Sequence, residues 1–494
     1  MQITIIKHND VFLKIHAEKS VLNELSNYFS FRVPGYQFQP NYKNRLWDGY
    51  LRLFSNATHQ IYIGLYDKIV EFCQKSHYTI SEDSYKPTQN LISKESIEHY
   101  IKDALQPASK GVKLDVREYQ TSVVHHCITE GRATILSPTS SGKSLMIYSL
   151  VRYLLDNDMA KRVLFIFPSI SLVNQLLTDF VDYSSITKWD ARSQSHMIFA
   201  GKGKITKHPL VFSTYQSLTK MPEKYFNSFD CIIVDEVHNA TSKSIKDIME
   251  KSTSVPYKFG FTGTLTDTKC HSLVINGLFG STYTATTTSD LMERDEVSKL
   301  SITCLILKYS KETCRIVSEA SYQDEMKFLS LNKLRNNFIK NLAVSLKGNT
   351  LLLFQFIEQG KILLKLLKDV PNVHYVDGGT DLENREMVRT IAESSDNCII
   401  VASYGTMSTG VNIRKLDNCI FCSSYKSKIK ILQSLGRILR LAENKHGCKL
   451  YDIADNLCFK GSYNHTFRHF DDRIGYYEKE KFVYKKIEYQ LEKD

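Results

Sequence analysis

No uninterrupted apolar run in this 494-residue chain is long enough to span a bilayer as a helix. The first stretch, Met1-Gln-Ile-Thr-Ile-Ile-Lys-His8, also lacks the charged-then-apolar layout of a secretion signal. A cytoplasmic protein with no membrane partner is therefore expected. A second C-x-x-C is missing: Cys419-Ile-Phe-Cys422 stands alone in a run that reads as a buried strand, which favours core thiols over zinc. The eleven cysteines are scattered and odd in number, consistent with reduced thiols. No Pro-Asp dipeptide occurs, so a Pro-Asp…Glu-x-Lys nuclease signature is absent. No short solenoid-type repeat is found either.

What is present is an ordinary globular composition, 42% apolar and 24% charged, which leaves ample material for sizeable cores. The length corresponds to roughly three domains. The formal charge of +11 points to a polyanionic partner or to a solvated basic surface.

Residues 1–80 read as a small α/β unit. Alternating Ile3, Ile5 and Val11, Leu13, Ile15 flank Asn9-Asp10 as in a hairpin. Ser20 is a candidate cap for a helix carrying Leu22, Leu25, Tyr28 and Phe29. Next comes a segment dense in rings and cations: Tyr36, Phe38, Tyr42, Lys43, Arg45, Trp47. It suits either nucleic-acid binding, with Lys43 and Arg45 on phosphates, or a ring-filled core with its cations in water. A second amphipathic run (Tyr66, Ile69, Val70, Phe72, Cys73) closes the unit, and residues 81–112 read as a polar linker with one short helix.

From about residue 113, short apolar runs alternate with helical patterns: Val163–Phe167, Leu210–Ser213, Cys231–Val234 and Phe259–Phe261. The pattern restarts after about 290 with Thr350–Phe354, Val373–Val376, Cys398–Ala402 and Cys419–Cys422. Continuous runs of this kind fit parallel strands covered on both faces. The predicted fold is α/β, with two tandem parallel-sheet domains (113–288 and 289–494) after a small α/β N-terminal domain and linker (1–112).

Three constellations carry chemistry. Ser137-Pro-Thr-Ser-Ser-Gly-Lys-Ser144 lies between an apolar run and a helical one, the setting of a phosphate-binding loop, with Ser137 where the common pattern has glycine. There Pro138, Thr139, Ser140, Ser141 and Gly142 would cradle phosphates, Lys143 would reach the β- and γ-phosphates, and Ser144 would hold Mg²⁺. Asp235-Glu236-Val237-His238 follows an apolar run, so its carboxylates emerge at a strand's C-terminal end. Asp235 is the second candidate Mg²⁺ ligand, Glu236 the candidate base for an attacking water, and His238 a link from nucleotide to the next loop. Gln433-Ser-Leu-Gly-Arg437-Ile-Leu-Arg440 puts two arginines on one helix face, where they can serve as arginine fingers.

In this order, the three motifs resemble those of the superfamily 2 helicases and translocases, and the resemblance implies that 113–288 and 289–494 are RecA-like domains, that 1–112 is a nucleic-acid-binding domain and linker, and further roles besides. Arg117-Glu-Tyr-Gln120 looks like the adenine-recognising element. Pro168, Ser169 and Gln175 fall in a stretch similar to motif Ia, and Thr214 in one similar to motif Ib, both of which contact the nucleic-acid backbone in that family. Thr262-Gly-Thr264 resembles motif III, which couples hydrolysis to strand binding. Phe354 lies in a stretch like motif IV. Ser403, Thr409 and Gly410 lie in one like motif V, which links backbone and nucleotide. Gly35-Tyr-Gln-Phe-Gln-Pro40, Trp47-Asp-Gly49, Val401-Ala-Ser-Tyr-Gly405 and Asp472-Arg-Ile474 are similar to the recombination helicases of T-even-like bacteriophages. That likeness implies ATP- and Mg²⁺-dependent, 3′-to-5′ unwinding and branch migration of DNA. The substrates would be forks, Holliday junctions and R- or D-loops, in phage recombination, repair and replication. The expected partner is branched, single- or double-stranded DNA, with single-strand-binding or recombination proteins beside it, and the expected state is a monomer. An RNA helicase, the motor subunit of a restriction-type system and an inactive DNA-binding ATPase are the alternatives. For the tail from about 456, an amphipathic helix packed on the second domain is preferred over an extended DNA track through Tyr484 and Lys485-Lys486.

Overall fold

The computed structural model describes residues 1–198, 203, 205–265, 268–408, 413, 415–424, 431–432, 434–436, 439 and 447–492. By contacts the chain forms two compact units, residues 1–137 with 142–285, and residues 286–494 with 138–141.

The first unit begins with strands β1 (Gln2–Lys7) and β2 (Phe12–His16), paired antiparallel through the hairpin at Asn9-Asp10. The following helix, Lys19–Tyr28, starts a residue before Ser20 and has no side-chain cap, so Ser20 is not its cap. Strands β3 (Ser30–Arg32) and β4 (Tyr50–Arg52) form a separate ribbon whose connection holds the ring-and-cation segment. Strands β5 (Phe54–Ser55), β6 (Gln60–Tyr62) and β7 (Thr79–Ile80) complete a sheet of order β5-β6-β2-β1-β7. The Tyr66–Lys75 helix buries Ile69, Phe72 and Cys73.

Residues 81–112 are more structured than a linker. The Lys94–His99 helix continues into a wider-turned segment, Tyr100–Leu105, and Ile97, Ile101 and Leu105 are buried. Tyr100 donates to Asp156 (2.6 Å) and Asn90 to the Ile128 carbonyl (2.7 Å), which fasten the segment to the motor. A hairpin of β8 (Ala108–Ser109) and β9 (Val112–Lys113) follows.

The sheet beyond it is entirely parallel, with order β12-β13-β11-β14-β15-β10-β16. Its strands are β10 (Arg132–Leu136), β11 (Val163–Phe167), β12 (Ser195–Ile198), β13 (Leu210–Thr214), β14 (Cys231–Asp235), β15 (Tyr257–Thr262) and β16 (Thr282–Thr284). All five residues of β11 and of β13 are buried, as uninterrupted apolar runs require when helices cover both faces. Phe165 and Phe212 stack at 4.3 Å, and burying each ring contributes roughly 1.5–3 kcal/mol. One continuous core runs from Ile3 and Leu13 through Tyr62 to Leu164, Ile232 and Leu278, so the N-terminal sheet and the motor sheet share an interior.

The second unit repeats the design with order β19-β20-β18-β21-β22-β17-β23, again all parallel. The strands are β17 (Leu300–Lys308), β18 (Thr350–Phe354), β19 (Val373–Val376), β20 (Ile399–Ser403), β21 (Asn418–Phe421), β22 (Cys448–Asn456) and β23 (Tyr484–Gln490). Cys419 and Cys422 are buried thiols, and among the described residues no group of three His, Cys, Asp or Glu side chains is arranged to hold a metal. The tail helix His465–Lys479 packs through Phe470, Ile474 and Tyr477, as expected. Beyond it, Tyr484, Lys485 and Lys486 form part of β23, an added sheet strand.

Candidate functional site

The phosphate-loop sequence ends β10 and opens the Lys143–Asp156 helix, with Gly142 at the cap in a left-handed conformation (φ 81°). Ser140 is also left-handed (φ 71°), and Ser141 closes the turn by donating its N–H and hydroxyl to the Pro138 carbonyl (3.3 and 2.7 Å). Ser137 is still part of the sheet edge, its N–H bonded to the Thr262 carbonyl at 2.9 Å. Its φ is not positive, so this position needs no glycine. A Cβ built on Gly142 would lie 2.2 Å from Gln120 Nε2, which places the amide of Gln120 against the loop. Gln120 is buried, and its Oε1 accepts from the Arg117 N–H at the start of the Glu118–Glu130 helix.

The strand order places β15 between β10 and β14, so the carboxylates stand one strand away from the loop. Lys143 spans that gap. Its Nζ donates to Asp235 Oδ1 at 3.2 Å and lies 3.5 Å from Glu236 Oε1. Thr262, at the end of the intervening strand, fills the space between: its Oγ1 is 2.9 Å from His238 Nδ1, 3.3 Å from Glu236 Oε2 and 2.9 Å from the Thr264 carbonyl. His238 Nδ1 is itself 3.2 Å from Glu236 Oε2. Glu236 has a positive φ of 52°, the kind of backbone strain that clusters at functional sites.

Burial raises the Asp235 carboxyl above its ordinary range despite the adjacent ammonium. Burial acts on Glu236 in the same direction, but Lys143, His238 and Thr262 together outweigh it and hold the carboxyl at about 2. The pair thus splits, with Glu236 firmly ionised and Asp235 the more basic carboxylate. Burial opposes the charge on Lys143, but the two carboxylates overcome it and raise the ammonium above its usual value. A loop cradle that admits no Cβ, a lysine at a helix N-terminus and a carboxylate pair fit a Mg²⁺-bound nucleoside triphosphate. With no three-ligand cage among the described residues, the cation would depend on phosphate and water oxygens as well as on Asp235 and Ser144.

The remaining expected contacts separate on burial. Ser169 is the N-cap of the Ile170–Tyr183 helix, accepting from the Leu172 N–H, and Gln175 on that helix is exposed. Pro168 is partly buried. Thr214 Oγ1 pairs with Ser217 Oγ at 3.0 Å at the end of β13, and Ser403 Oγ pairs with Thr406 Oγ1 at 2.7 Å at the end of β20. Three expected nucleic-acid contacts need correction. Thr262 is fully buried and its hydroxyl is engaged inside the carboxylate network. Thr264 is also buried. Phe354 has no exposed surface; its ring stacks on Tyr375 at 5.7 Å and packs over Gly360, so it belongs to the core. Thr409, Gly410, Gln433, Arg437 and Arg440 lie outside the described residues.

In the β3–β4 connection, Lys43 and Arg45 are exposed, and none of Tyr36, Phe38, Tyr42 and Trp47 is buried. The core-filling alternative for these rings is therefore wrong. Phe38 and Leu46 are 73% and 77% exposed, and the Arg32 guanidinium lies over the rings of Tyr36 and Tyr50 at 4.6 and 5.4 Å. An open concavity is lined by Gln37, Tyr42, Lys43, Arg45, Leu46, Trp47 and Asp48.

Two seven-stranded parallel sheets in tandem, the first carrying a phosphate loop tied to a carboxylate pair, define a helicase-type ATPase. Family models agree: residues 113–267 match the res subunit of type III restriction enzymes, 332–442 the helicase conserved C-terminal domain, and 2–83 the N-terminal region of the DNA helicase UvsW. The ATP-dependent DNA helicase uvsW of Enterobacteria phage T4 is 32% identical over 506 residues, covering 98% of this chain and 99% of the phage protein. The crystal structure of T4 UvsW superposes with a TM-score of 0.53 at 30% identity, over 99% of this chain and all of that one. A DNA 3'-5' translocase, XPB2 of Sulfurisphaera tokodaii, is 25% identical over 66% of this chain and 79% of its own length. This chain belongs to the UvsW family of ATP-dependent DNA helicases.

Proposed function

We infer that this helicase converts ATP hydrolysis into 3′-to-5′ movement along DNA and thereby remodels branched DNA, using the residues around Lys143. The observation that carries the reading is Lys143 Nζ, held between Asp235 and Glu236 at the N-terminus of a helix. Bound Mg²⁺–ATP supplies an electrophilic γ-phosphorus and a cation that offsets phosphate charge. With Mg²⁺–ATP bound, Lys143 and the amides at Gly142 and beyond would hold the phosphates, and Asp235 and Ser144 would hold the cation. Glu236, kept ionised by Thr262 and His238, orients water for attack. Gln120 and Arg117 recognise adenine, and Arg437 and Arg440 stabilise charge developing on the γ-phosphate. Gln175 and the Lys43–Arg45 connection supply backbone contacts to DNA, with the exposed rings as stacking surfaces.

The test is ATP turnover with no polymer, single-stranded DNA, forked DNA, a four-way junction and RNA, beside Lys143→Ala. Stimulation by forked and four-way DNA, abolished in Lys143→Ala with DNA binding retained, is expected. Stimulation by RNA alone would make this an RNA helicase, and wild-type turnover in Lys143→Ala would remove Lys143 from the site.

A further inference from the structure

The edge of a sheet offers a row of unpaired N–H and C=O groups to any other strand, unless the edge is short or covered. Three of the four edges of the two seven-stranded sheets are guarded in one of these ways. No residue of β12 or of β19 is exposed, and β16 has only three residues. The fourth edge, β23, is different. It runs for seven residues, Tyr484–Gln490, six of them exposed, with no proline among them. Among the described residues β17 is its only strand neighbour.

The pairing with β17 fixes which backbone groups face outward. The Val483 carbonyl accepts from the Ile302 N–H (3.2 Å), and the Leu491 N–H donates to the Lys308 carbonyl (2.9 Å), so odd-numbered residues turn their backbone toward β17. Tyr484, Lys486, Glu488 and Gln490 therefore present N–H and C=O groups to the open side. Side chains alternate as well. On one face, Lys486 Nζ lies 5.8 Å from the Phe470 ring of the tail helix. On the other, Tyr489 meets Phe338 of the Lys333–Ser345 helix at 4.8 Å and is still 48% exposed. Ile487 and Val483, in the same alternate series, are 43% and 79% exposed. An apolar stripe thus runs along an open edge.

The strand Tyr-Lys-Lys-Ile-Glu-Tyr-Gln is complementary to itself when reversed. About a twofold axis at Ile487, antiparallel pairing sets Lys486 against Glu488 of a second copy, Tyr484 against Gln490, Lys485 against Tyr489, and Ile487 against its own counterpart. The outward-facing residues then fall in the hydrogen-bonded pairs, and Ile487 falls in a closer, non-hydrogen-bonded pair with about 4.5 Å between Cα atoms. A slip of two residues in either direction opposes Lys486 to Lys486 or Glu488 to Glu488, and like charges directly opposite are destabilising. Glu488 already holds Lys308 through Oε2 (2.5 Å), and a carboxylate can accept a second ammonium through its other oxygen.

We propose that β23 is a self-association edge: two copies of this chain pair antiparallel through Tyr484–Gln490 and join two seven-stranded sheets into one. The charge order of the strand selects a second copy as the partner and fixes the register. Strand pairing alone is a small interface beside the roughly 1,200–2,000 Å² of a standard complex, so the dimer is reversible and depends on concentration.

Sedimentation velocity of the full chain from about 1 to 200 µM should show a monomer–dimer equilibrium. Lys486→Glu and Glu488→Lys each put like charges opposite one another, and each alone should weaken dimerisation about tenfold or more with the thermal midpoint unchanged. An equimolar mixture of the two variants restores opposite charges at both pairs and should recover dimers. Under a mild oxidant, Ile487→Cys should cross-link two chains, whereas Lys485→Cys, whose counterpart is Tyr489, should not. A monomer throughout that range overturns the proposal. So does a dimer that both charge reversals leave intact, a mixture that stays monomeric, or an Ile487→Cys chain that does not cross-link. Loss of DNA affinity in Lys486→Glu with the wild-type distribution of monomer and dimer would make the strand a DNA contact instead.

Discussion

Replacing Thr262 with valine preserves side-chain shape and removes a single hydroxyl from the middle of the site. Thr262 is fully buried, and its Oγ1 lies 3.3 Å from Glu236 Oε2 and 2.9 Å from His238 Nδ1. A hydrogen bond to a charged group is worth about 1.5–3 kcal/mol, and each 1.4 kcal/mol of barrier is tenfold, so kcat should fall about 10- to 150-fold. Thr262 Oγ1 makes no hydrogen bond to Lys143 or Gly142, so nucleotide affinity should stay within about twofold of wild type. The variant also predicts a pH effect of definite sign. Thr262 is one of the groups holding Glu236 at about 2, so removing its hydroxyl lets that pKa rise toward the ordinary value. The acid limb of the turnover profile should accordingly move to higher pH. Steady-state ATPase assays with saturating DNA, run from acid to neutral pH beside a fluorescent-nucleotide titration, read all three quantities. Unchanged turnover would refute the reasoning, and so would a loss of affinity that accounts for the whole loss of kcat/KM.

At the loop, Gly142→Ala places a methyl on Gln120 in a left-handed backbone that costs about 1–2 kcal/mol, so nucleotide affinity should drop about tenfold or more in the same titration. Unaltered affinity would show that the loop rearranges on binding. Replacing Lys43 and Arg45 together with alanine should lessen the slope of log affinity against log salt by about 2, one ion per phosphate contact, in fluorescence-anisotropy titrations of DNA. An unchanged slope would leave these cations as surface charge. Asp455→Ala strips the Arg335 guanidinium of its buried partner, at a cost of about 3–5 kcal/mol. The second unit's thermal midpoint should then fall by about 6–20 °C by calorimetry. A shift below about 3 °C would mean that the guanidinium finds other acceptors.

The parallel strands are legible in the sequence because a strand buried on both faces has to be apolar throughout. Val163–Phe167 and Thr350–Phe354 coincide with β11 and β18 to the residue. The same rule conceals β22, whose Asp452 and Asp455 interrupt the apolar pattern although both are fully buried. Their partners Arg473 and Arg335 are distant in sequence, so nothing local shows that the charges are neutralised. Motif spacing brings Lys143 and the Asp235-Glu236 pair to one place because loops at the C-terminal ends of parallel strands converge. It cannot show that β15 intervenes, and the likeness of Thr262-Gly-Thr264 to motif III does not reveal that the Thr262 hydroxyl sits between Glu236 and His238. The rings at 36–47 are ambiguous for a related reason, since aromatic density alone does not distinguish a core from a surface that stacks bases.

The way the N-terminal sheet joins the motor limits what either can do alone. Gly64 and Gly277 let backbones meet so closely that a Cβ on Gly64 would lie 2.1 Å from the Asn276 carbonyl, and one on Gly277 would lie 2.8 Å from the Tyr62 ring. Tyr62 also donates to Glu250 (2.6 Å), and at the other end of the joint Lys258 Nζ (2.8 Å) and Arg132 Nη2 (3.2 Å) both donate to the Asp10 carbonyl in the first hairpin. The joint is secured at both ends by close packing and buried hydrogen bonds. The base of the β3–β4 ribbon that bears Phe38, Lys43 and Leu46 thus springs from a module packed into the first motor sheet rather than tethered to it. Excising the module would therefore bare the interior it shares with the first motor sheet, from Tyr62 to Leu278.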